Sequence, residues 1–249
     1  MLAVEGPVLS VIVPVFNERM TVRTLLERVA KVPIEKEIVI VDDGSTDDTP
    51  AQIREFAAAY AADPQNRVRV ILQERNAGKG AALRAGIAHA RGAITLFQDA
   101  DLEYSPDEYP RLIEPIVSGE ADVVFGSRFL GGPRRVLFFR HTIGNRLLTL
   151  LSNLCTDLNL TDMETCYKVF RTDILRRLHL RSDRFGIEPE ITAKVASAAS
   201  SRSMCSRTFR HSTVSNRWVR NPPSDGSSQS TGRIWTLSDP TKRSRSSSK

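Results

Sequence analysis

At 249 residues with 41% apolar side chains, the chain can bury one sizeable core or two small ones. Its net charge of +6 is unevenly placed: residues 197–249 carry eight Arg and two Lys against two Asp, whereas residues 1–196 carry 25 basic and 27 acidic side chains. The basic surplus belongs to the C-terminal stretch, so nothing in the charge of the preceding residues points to a nucleic-acid partner.

Residues 1–128 alternate short β-branched runs with helix-forming stretches. In chain order, strands are predicted at Val8–Val15, Ile38–Val41, Val68–Leu72, Ile94–Phe97 and Val123–Phe125, and helices at Met20–Val32, Ala51–Ala62, Ala81–Ala90 and Pro106–Val117. Thr49-Pro50 supplies a cap before a first-turn proline, and Ser105-Pro106-Asp107-Glu108 adds a capping box. Strand and helix in strict alternation imply an α/β fold: a mostly parallel, twisted sheet with helices on both faces. Ligands of such sheets bind beyond the carboxyl ends of the strands. No stretch approaches the roughly 20 uninterrupted apolar residues that span a bilayer. No signal peptide is visible, because VLSVIVPVF has no basic flank before it and no small-residue cleavage site after it. Cys155, Cys166 and Cys205 lack metal-ligand spacing and read as buried thiols in a reducing compartment.

The strand ends carry an unusual set of residues: Pro14-Val15-Phe16-Asn17-Glu18, Asp42-Asp43-Gly44-Ser45-Thr46-Asp47, Gln98-Asp99-Ala100-Asp101 and Gly126-Ser127-Arg128. Acids gathered at one sheet edge repel one another, so a cation is expected there. Seen alone, VDDGSTDDTP reads equally well as an Asx-turn and helix cap. In Asp99-Ala100-Asp101 the i, i+2 spacing turns both carboxylates to one face, where hard oxygen ligands suit Mg²⁺ or Mn²⁺. RNAGKGAALRAG, residues 75–86, has the look of a phosphate cradle but fails the P-loop pattern. That loop needs four residues between its glycines and a Ser or Thr after the lysine, and here Lys79 sits between Gly78 and Gly80 and is followed by Ala81. What remains is a tight turn into a helix whose N-terminus, with Lys79, favours an anion.

Together, VIVPVFNE, VDDGSTD, RNAGKGAALRAG, QDADLE and FGSRFLGG, continued by LTDMETCYKVFR at 160–171 and RFGIEPEITAKVA at 184–196, resemble the glycosyltransferases of family 2, which have the Rossmann-like GT-A fold. The likeness covers roughly residues 8–196 and is similar to the branch that contains dolichyl-phosphate mannosyltransferase and related polyprenyl-phosphate glycosyltransferases. It implies a nucleotide-diphosphate sugar donor, a divalent cation and a polyprenyl or dolichyl phosphate acceptor. A nucleotide-sugar half at about 1–128 would be followed by an acceptor half at about 129–196. Carried over position by position, Pro14, Phe16 and Glu18 line the nucleotide pocket, and Asp42 or Asp43 recognises the base or ribose. Lys79 and Ala100 also belong to the donor site. Asp99 and Asp101 match the motif that holds the metal on the diphosphate, Glu103 falls where a further metal or water ligand is usual, and Arg128 faces the phosphates. Asp101 and Arg128 are the residues expected to act in catalysis. Inversion at the anomeric carbon follows from the resemblance alone.

The chemistry fits independently of the family. Moving a sugar off a nucleotide diphosphate requires stabilisation of the departing charge, which a divalent ion and an arginine supply. A phosphate monoester acceptor is already ionised at neutral pH, which relaxes the demand for a general base. None of His89, His141, His179 or His211 stands beside a motif where one would serve, and Glu188 and Glu190 are the spare carboxylates. Residues 136–155, VLFFRHTIGNRLLTLLSNLC, read either as a core-facing helix or as an amphipathic segment on a membrane surface near a prenyl phosphate. The expected location is cytoplasmic, peripheral on the cytoplasmic face of the membrane. Residues 197–249 hold 16 serines, against seven in residues 1–196, and read as a low-complexity basic tail, disordered or out of frame. The stretch lacks the family's closing strand and basic segment, so the alternative reading is a catalytically weak or silent nucleotide-sugar-binding protein. GDP-mannose is the first choice of donor and UDP-glucose the second.

Overall fold

The computed structural model describes residues 9–128, 139–200 and 211–215, with the side chains of 139–142, 200 and 211–215 excepted. β1 (Leu9–Val15), α1 (Val22–Lys31), β2 (Lys36–Asp42), α2 (Thr49–Ala59), β3 (Asn66–Leu72), α3 (Lys79–His89) and β4 (Ile94–Phe97) follow in the predicted alternation. A 3₁₀ turn, Pro106–Glu108, leads into α4 (Tyr109–Val117) and β5 (Val123–Ser127), followed by α5 (Phe139–Thr156), β6 (Lys168–Arg171), α6 (Thr172–Arg177), α7 (Ile187–Ser200) and β7 (His211–Ser215). The strands form one sheet in the order β3-β2-β1-β4-β6-β5-β7. β6 is antiparallel to both β4 and β5, and the other pairs are parallel.

β1 shows how the sequence covers both faces. Val11, Val13 and Val15 pack with Leu25, Leu26 and Val29 of α1 and Leu112 and Ile116 of α4. Ile12, one step out of phase, packs with Leu83 of α3 and Ile187 and Ile191 of α7. A period of two feeding two helical layers produces two cores on one sheet. Lys36 is fully buried at the head of β2. Its ammonium donates to the carbonyls of Ala30, Val32 and Ile34 at 3.3, 2.7 and 3.1 Å, satisfying orphan acceptors where α1 ends. Burial lowers its pKa to about 8.

Several local expectations are corrected. Thr49 is the first residue of α2 rather than its cap: its N–H donates to Asp47 at 2.9 Å, and its hydroxyl accepts from the N–H of Glu18, tying the loop after β1 to α2. The Ser105 box closes only the 3₁₀ turn that precedes α4. Cys166 is buried as expected, but Cys155 is exposed on α5, and Cys205 lies outside the described residues. Within the predicted tail, α7 continues to Ser200, and His211–Ser215 forms β7 in parallel register with Val123–Ser127. β5 would otherwise present a row of unpaired backbone groups, and the β-favouring Thr213 and Val214 suit a strand that pairs with them. Residues 201–210 and 216–249 lie outside the described residues, and with them the rest of the tail expectation. Among the described residues no helix is long and apolar enough to cross a membrane.

Candidate active site

A cleft of about 420 Å³ opens at the carboxyl ends of β1, β2 and β4. The strand order reverses between β1 and β4, which makes this the switch point of the sheet. Pro14, Phe16, Glu18, Asp43, Lys79, Asp99, Ala100 and Asp101, all expected from the sequence, line it together. Asn17, at φ 55°, turns the chain out of β1. Its side-chain carbonyl accepts from the N–H of Thr46 at 2.9 Å, and its own N–H donates to the Ser45 hydroxyl at 2.8 Å. The loops after β1 and β2 are thereby stitched into one wall.

Asp42 and Asp43 are both buried. One Asp42 oxygen accepts from the N–H of Ser45 at 3.2 Å, and Asp42 is not part of the cleft lining. Asp43 lines the cleft and accepts the N–H groups of Ala77 and Gly78, each at 2.8 Å. The N–H groups just before α3 are thus met from within the chain, by Asp43. The glycines serve close packing. Gly78 has φ +103°, and a Cβ there would meet the Asp183 carbonyl oxygen at 2.5 Å, while Gly80 presses against the Ser182 carbonyl. The segment from Arg181 to Gly186 is thus held across the start of α3.

On the β4 side, Gln98 is buried beneath the site. Its carbonyl oxygen accepts from the hydroxyls of Tyr109 and Tyr167 at 2.7 and 2.9 Å, and its amide donates to the Asp99 carbonyl at 3.0 Å. The Asp99 N–H donates to the Cys166 sulfur at 3.0 Å. Burial keeps that thiol protonated by pushing its pKa up. Lys79 pairs with Asp99 at 2.8 Å and with Glu188 at 3.1 Å, and the other Glu188 oxygen pairs with fully buried Lys168. Burial alone would lower the Lys79 pKa, but the two carboxylates outweigh it and hold the ammonium well above its usual range. Asp101 has no such partner. Burial, with Asp99, Glu103 and Glu18 nearby, raises its pKa to about 6, although the N–H of Glu103 donates to it at 2.9 Å.

Arg128 stands apart from the cleft lining. Its Nε and Nη2 meet the two oxygens of buried Asp162 at 2.7 and 2.9 Å, a bidentate clamp that Asn145 of α5 joins at 3.0 Å. Glu188 belongs to the Lys79–Lys168 network, and Glu190 accepts the N–H groups of Arg181 and Ser182 and pairs with Lys194. These bonds outweigh burial and hold the Glu190 pKa at about 2. His89 and His179 do not line the cleft. Arg184 and Phe185 also line the cleft without having been singled out from the sequence, and Phe185 is 80% exposed. The signal available for them was their place in the RFGIEPE motif.

Among the described residues no three His, Cys, Asp or Glu side chains converge into a self-sufficient metal cage. Asp99 and Asp101 nevertheless fit a hard divalent cation. Such ions are bound by one or two carboxylates with the remaining ligands drawn from substrate phosphates, and Asp99 and Asp101 line the cleft together.

Ligands of open α/β sheets bind at such a switch point. Residues 10–178 match the family model described as glycosyl transferase family 2, and the chain belongs to that family. It is 31% identical over 196 residues to the dodecaprenyl-phosphate galacturonate synthase of Rhizobium johnstonii, covering 77% of this chain and 56% of that one. It is 33% identical over 174 residues to the polyprenol monophosphomannose synthase of Mycolicibacterium smegmatis, covering 68% and 64%. It thus spans little more than half to just under two thirds of the length of these curated relatives. Glucosyl-3-phosphoglycerate synthase from Mycobacterium tuberculosis, solved with Mn²⁺, UDP and phosphoglyceric acid, superimposes with a TM-score of 0.60 at 21% identity, covering 88% of this chain and 72% of that one. That likeness establishes the GT-A fold.

Proposed function

We propose that this chain transfers a sugar from a nucleotide diphosphate to a polyprenyl or dolichyl phosphate, with inversion at the anomeric carbon. The observation that carries the reading is the convergence of Asp99, Asp101, Glu18 and Asp43 on one cleft at the switch point. The names of the two curated relatives support a polyprenyl phosphate acceptor, and they differ in the sugar. GDP-mannose is the favoured donor here and UDP-glucose the next.

In this reading Asp99 and Asp101 hold Mg²⁺ or Mn²⁺, with Glu103 beside them. Bound there, the cation supplies charge neutralisation for the departing diphosphate. Pro14, Phe16, Glu18 and Asp43 form the wall for the nucleotide, with Asp42 supporting the loop after β2, and Ala100 leaves room between the two acids. Lys79 holds Asp99 in place through their ion pair. Arg128 fixes the end of β5 through Asp162. The acceptor phosphate is ionised at neutral pH, so positioning replaces a general base, consistent with His89 and His179 standing outside the cleft.

α5 supports a lipid acceptor and a peripheral place on a membrane, and the cytoplasmic face remains our proposal for its side. It packs through polar residues: Asn145 on Asp162, Thr149 accepting from the N–H of Met163, and Asn153 bonded to both backbone groups of Leu160. Leu147, Leu150, Leu151 and Leu154 are exposed. An inward polar stripe and outward leucines invert the order of a core-facing helix and suit an apolar surface. The test is a donor panel with a polyprenyl phosphate acceptor, scored by labelled sugar in the lipid extract. GDP-mannose is expected to give the highest turnover. Absence of a lipid-linked product with every donor, from protein shown to be folded, would defeat the proposal.

A further inference from the structure

A diphosphate leaving group needs a cation with free donors, and the resemblance points to Arg128 for that role. In the structure, Arg128 is clamped on both oxygens of Asp162 and does not line the cleft. The cleft lining carries four acids, Glu18, Asp43, Asp99 and Asp101, and two cations, Lys79 and Arg184. Lys79 is already shared between Asp99 and Glu188. Arg184 is exposed, and among the described residues its guanidinium has neither hydrogen bond nor ion pair.

The chain holds Arg184 in place from behind. Arg84 of α3 donates to the carbonyls of Arg181, at 3.0 Å, and Ser182, and pairs with Asp183. The Ala81 N–H donates to the Asp183 carbonyl at 3.0 Å. The Arg184 stem crosses Gly78, where a Cβ would lie 2.8 Å from its Cγ. A segment fixed by its backbone and presenting an unpaired guanidinium to an acid-lined cleft is built to receive an anion, because ordering entropy is spent on folding rather than at binding. We infer that Arg184 is the arginine that binds phosphate oxygens in this cleft. The inference rests on the nucleotide-sugar reading above. A guanidinium matches a phosphate through two parallel N–H donors, and two phosphates qualify: the donor diphosphate and the acceptor monoester.

The test is calorimetry on the full chain and on Arg184→Gln and Arg184→Lys, with Mn²⁺ present. The probes are GDP, UDP, their nucleosides and a short-chain prenyl phosphate. Loss of one charge-assisted contact is expected to weaken binding of the phosphate it serves by roughly 10–100-fold. Nucleoside binding is expected to stay unchanged, and lysine is expected to restore part of the loss. Weakened GDP and UDP binding assigns Arg184 to the donor, and weakened prenyl phosphate binding assigns it to the acceptor. Equal losses for nucleoside and diphosphate would show that Arg184 only shapes the loop, and unchanged affinities would show no role. Either result overturns the inference while wild-type GDP or UDP binding leaves the nucleotide-sugar reading standing. Wild-type protein that binds neither nucleotide would overturn both.

Discussion

Asp101→Asn is expected to slow sugar transfer by on the order of 10²–10³-fold, the effect of losing one group that stabilises developing charge. The fold should tolerate the change. Asp101 sits among Asp99, Glu103 and Glu18 with its pKa raised to about 6, so at neutral pH its charge works against the native state. A folded-state pKa above the unfolded value means that ionisation disfavours the fold as pH rises through that range. The melting temperature of Asp101→Asn at pH 7 should therefore hold or rise. Calorimetry with donor, with and without EDTA, separates the causes. Wild-type protein should lose donor affinity on chelation, and the variant should be weak in both conditions. Equal wild-type affinity with and without EDTA would remove the metal from Asp99 and Asp101.

Glu188→Leu is expected to cost about 3–5 kcal/mol of stability, because it strips the carboxylate that fully buried Lys168 shares with half-buried Lys79. Lys168 is fully buried, and its remaining contacts are the Thr165 carbonyl and the Phe125 ring, 5.9 Å away. Lys79 retains Asp99. The loss should fall mostly on Lys168, so Lys168→Met combined with Glu188→Leu should recover much of it. A urea titration monitored by circular dichroism measures this. A single Glu188→Leu variant within about 1 kcal/mol of wild type would show that Lys168 finds other compensation.

The half of the molecule that follows a local rule was legible. Alternating strands and helices placed Glu18, Asp43, Asp99 and Asp101 at one sheet edge, and they meet there. Residues whose role depends on long-range packing were not. Lys168–Arg171 carried a family motif, yet only the sheet shows it as an antiparallel strand inserted between β4 and β5. Asp43 looked like a ligand-binding acid, and it also binds the backbone of a loop 34 residues away. Gly78 and Gly80 mimic a phosphate loop because close approach to a backbone and close approach to a phosphate both require the absence of a Cβ. Arg184 reaches the cleft because Arg84 and Glu190 hold its segment, and no spacing in the sequence encodes that arrangement. The outward leucines of α5 were within reach, since Asn145, Thr149 and Asn153 recur every four residues, but which stripe faces the protein is decided by Asp162, Met163 and Leu160.

An ionised lipid phosphate, rather than a hydroxyl, is expected to receive the sugar. A polyprenyl phosphate and the matching polyprenol should be compared as acceptors at equal concentration, with the same labelled donor and full-length protein. Transfer to the phosphate with none to the alcohol is the predicted result. Comparable transfer to the alcohol would contradict it, because a hydroxyl needs a general base and an ionised phosphate does not.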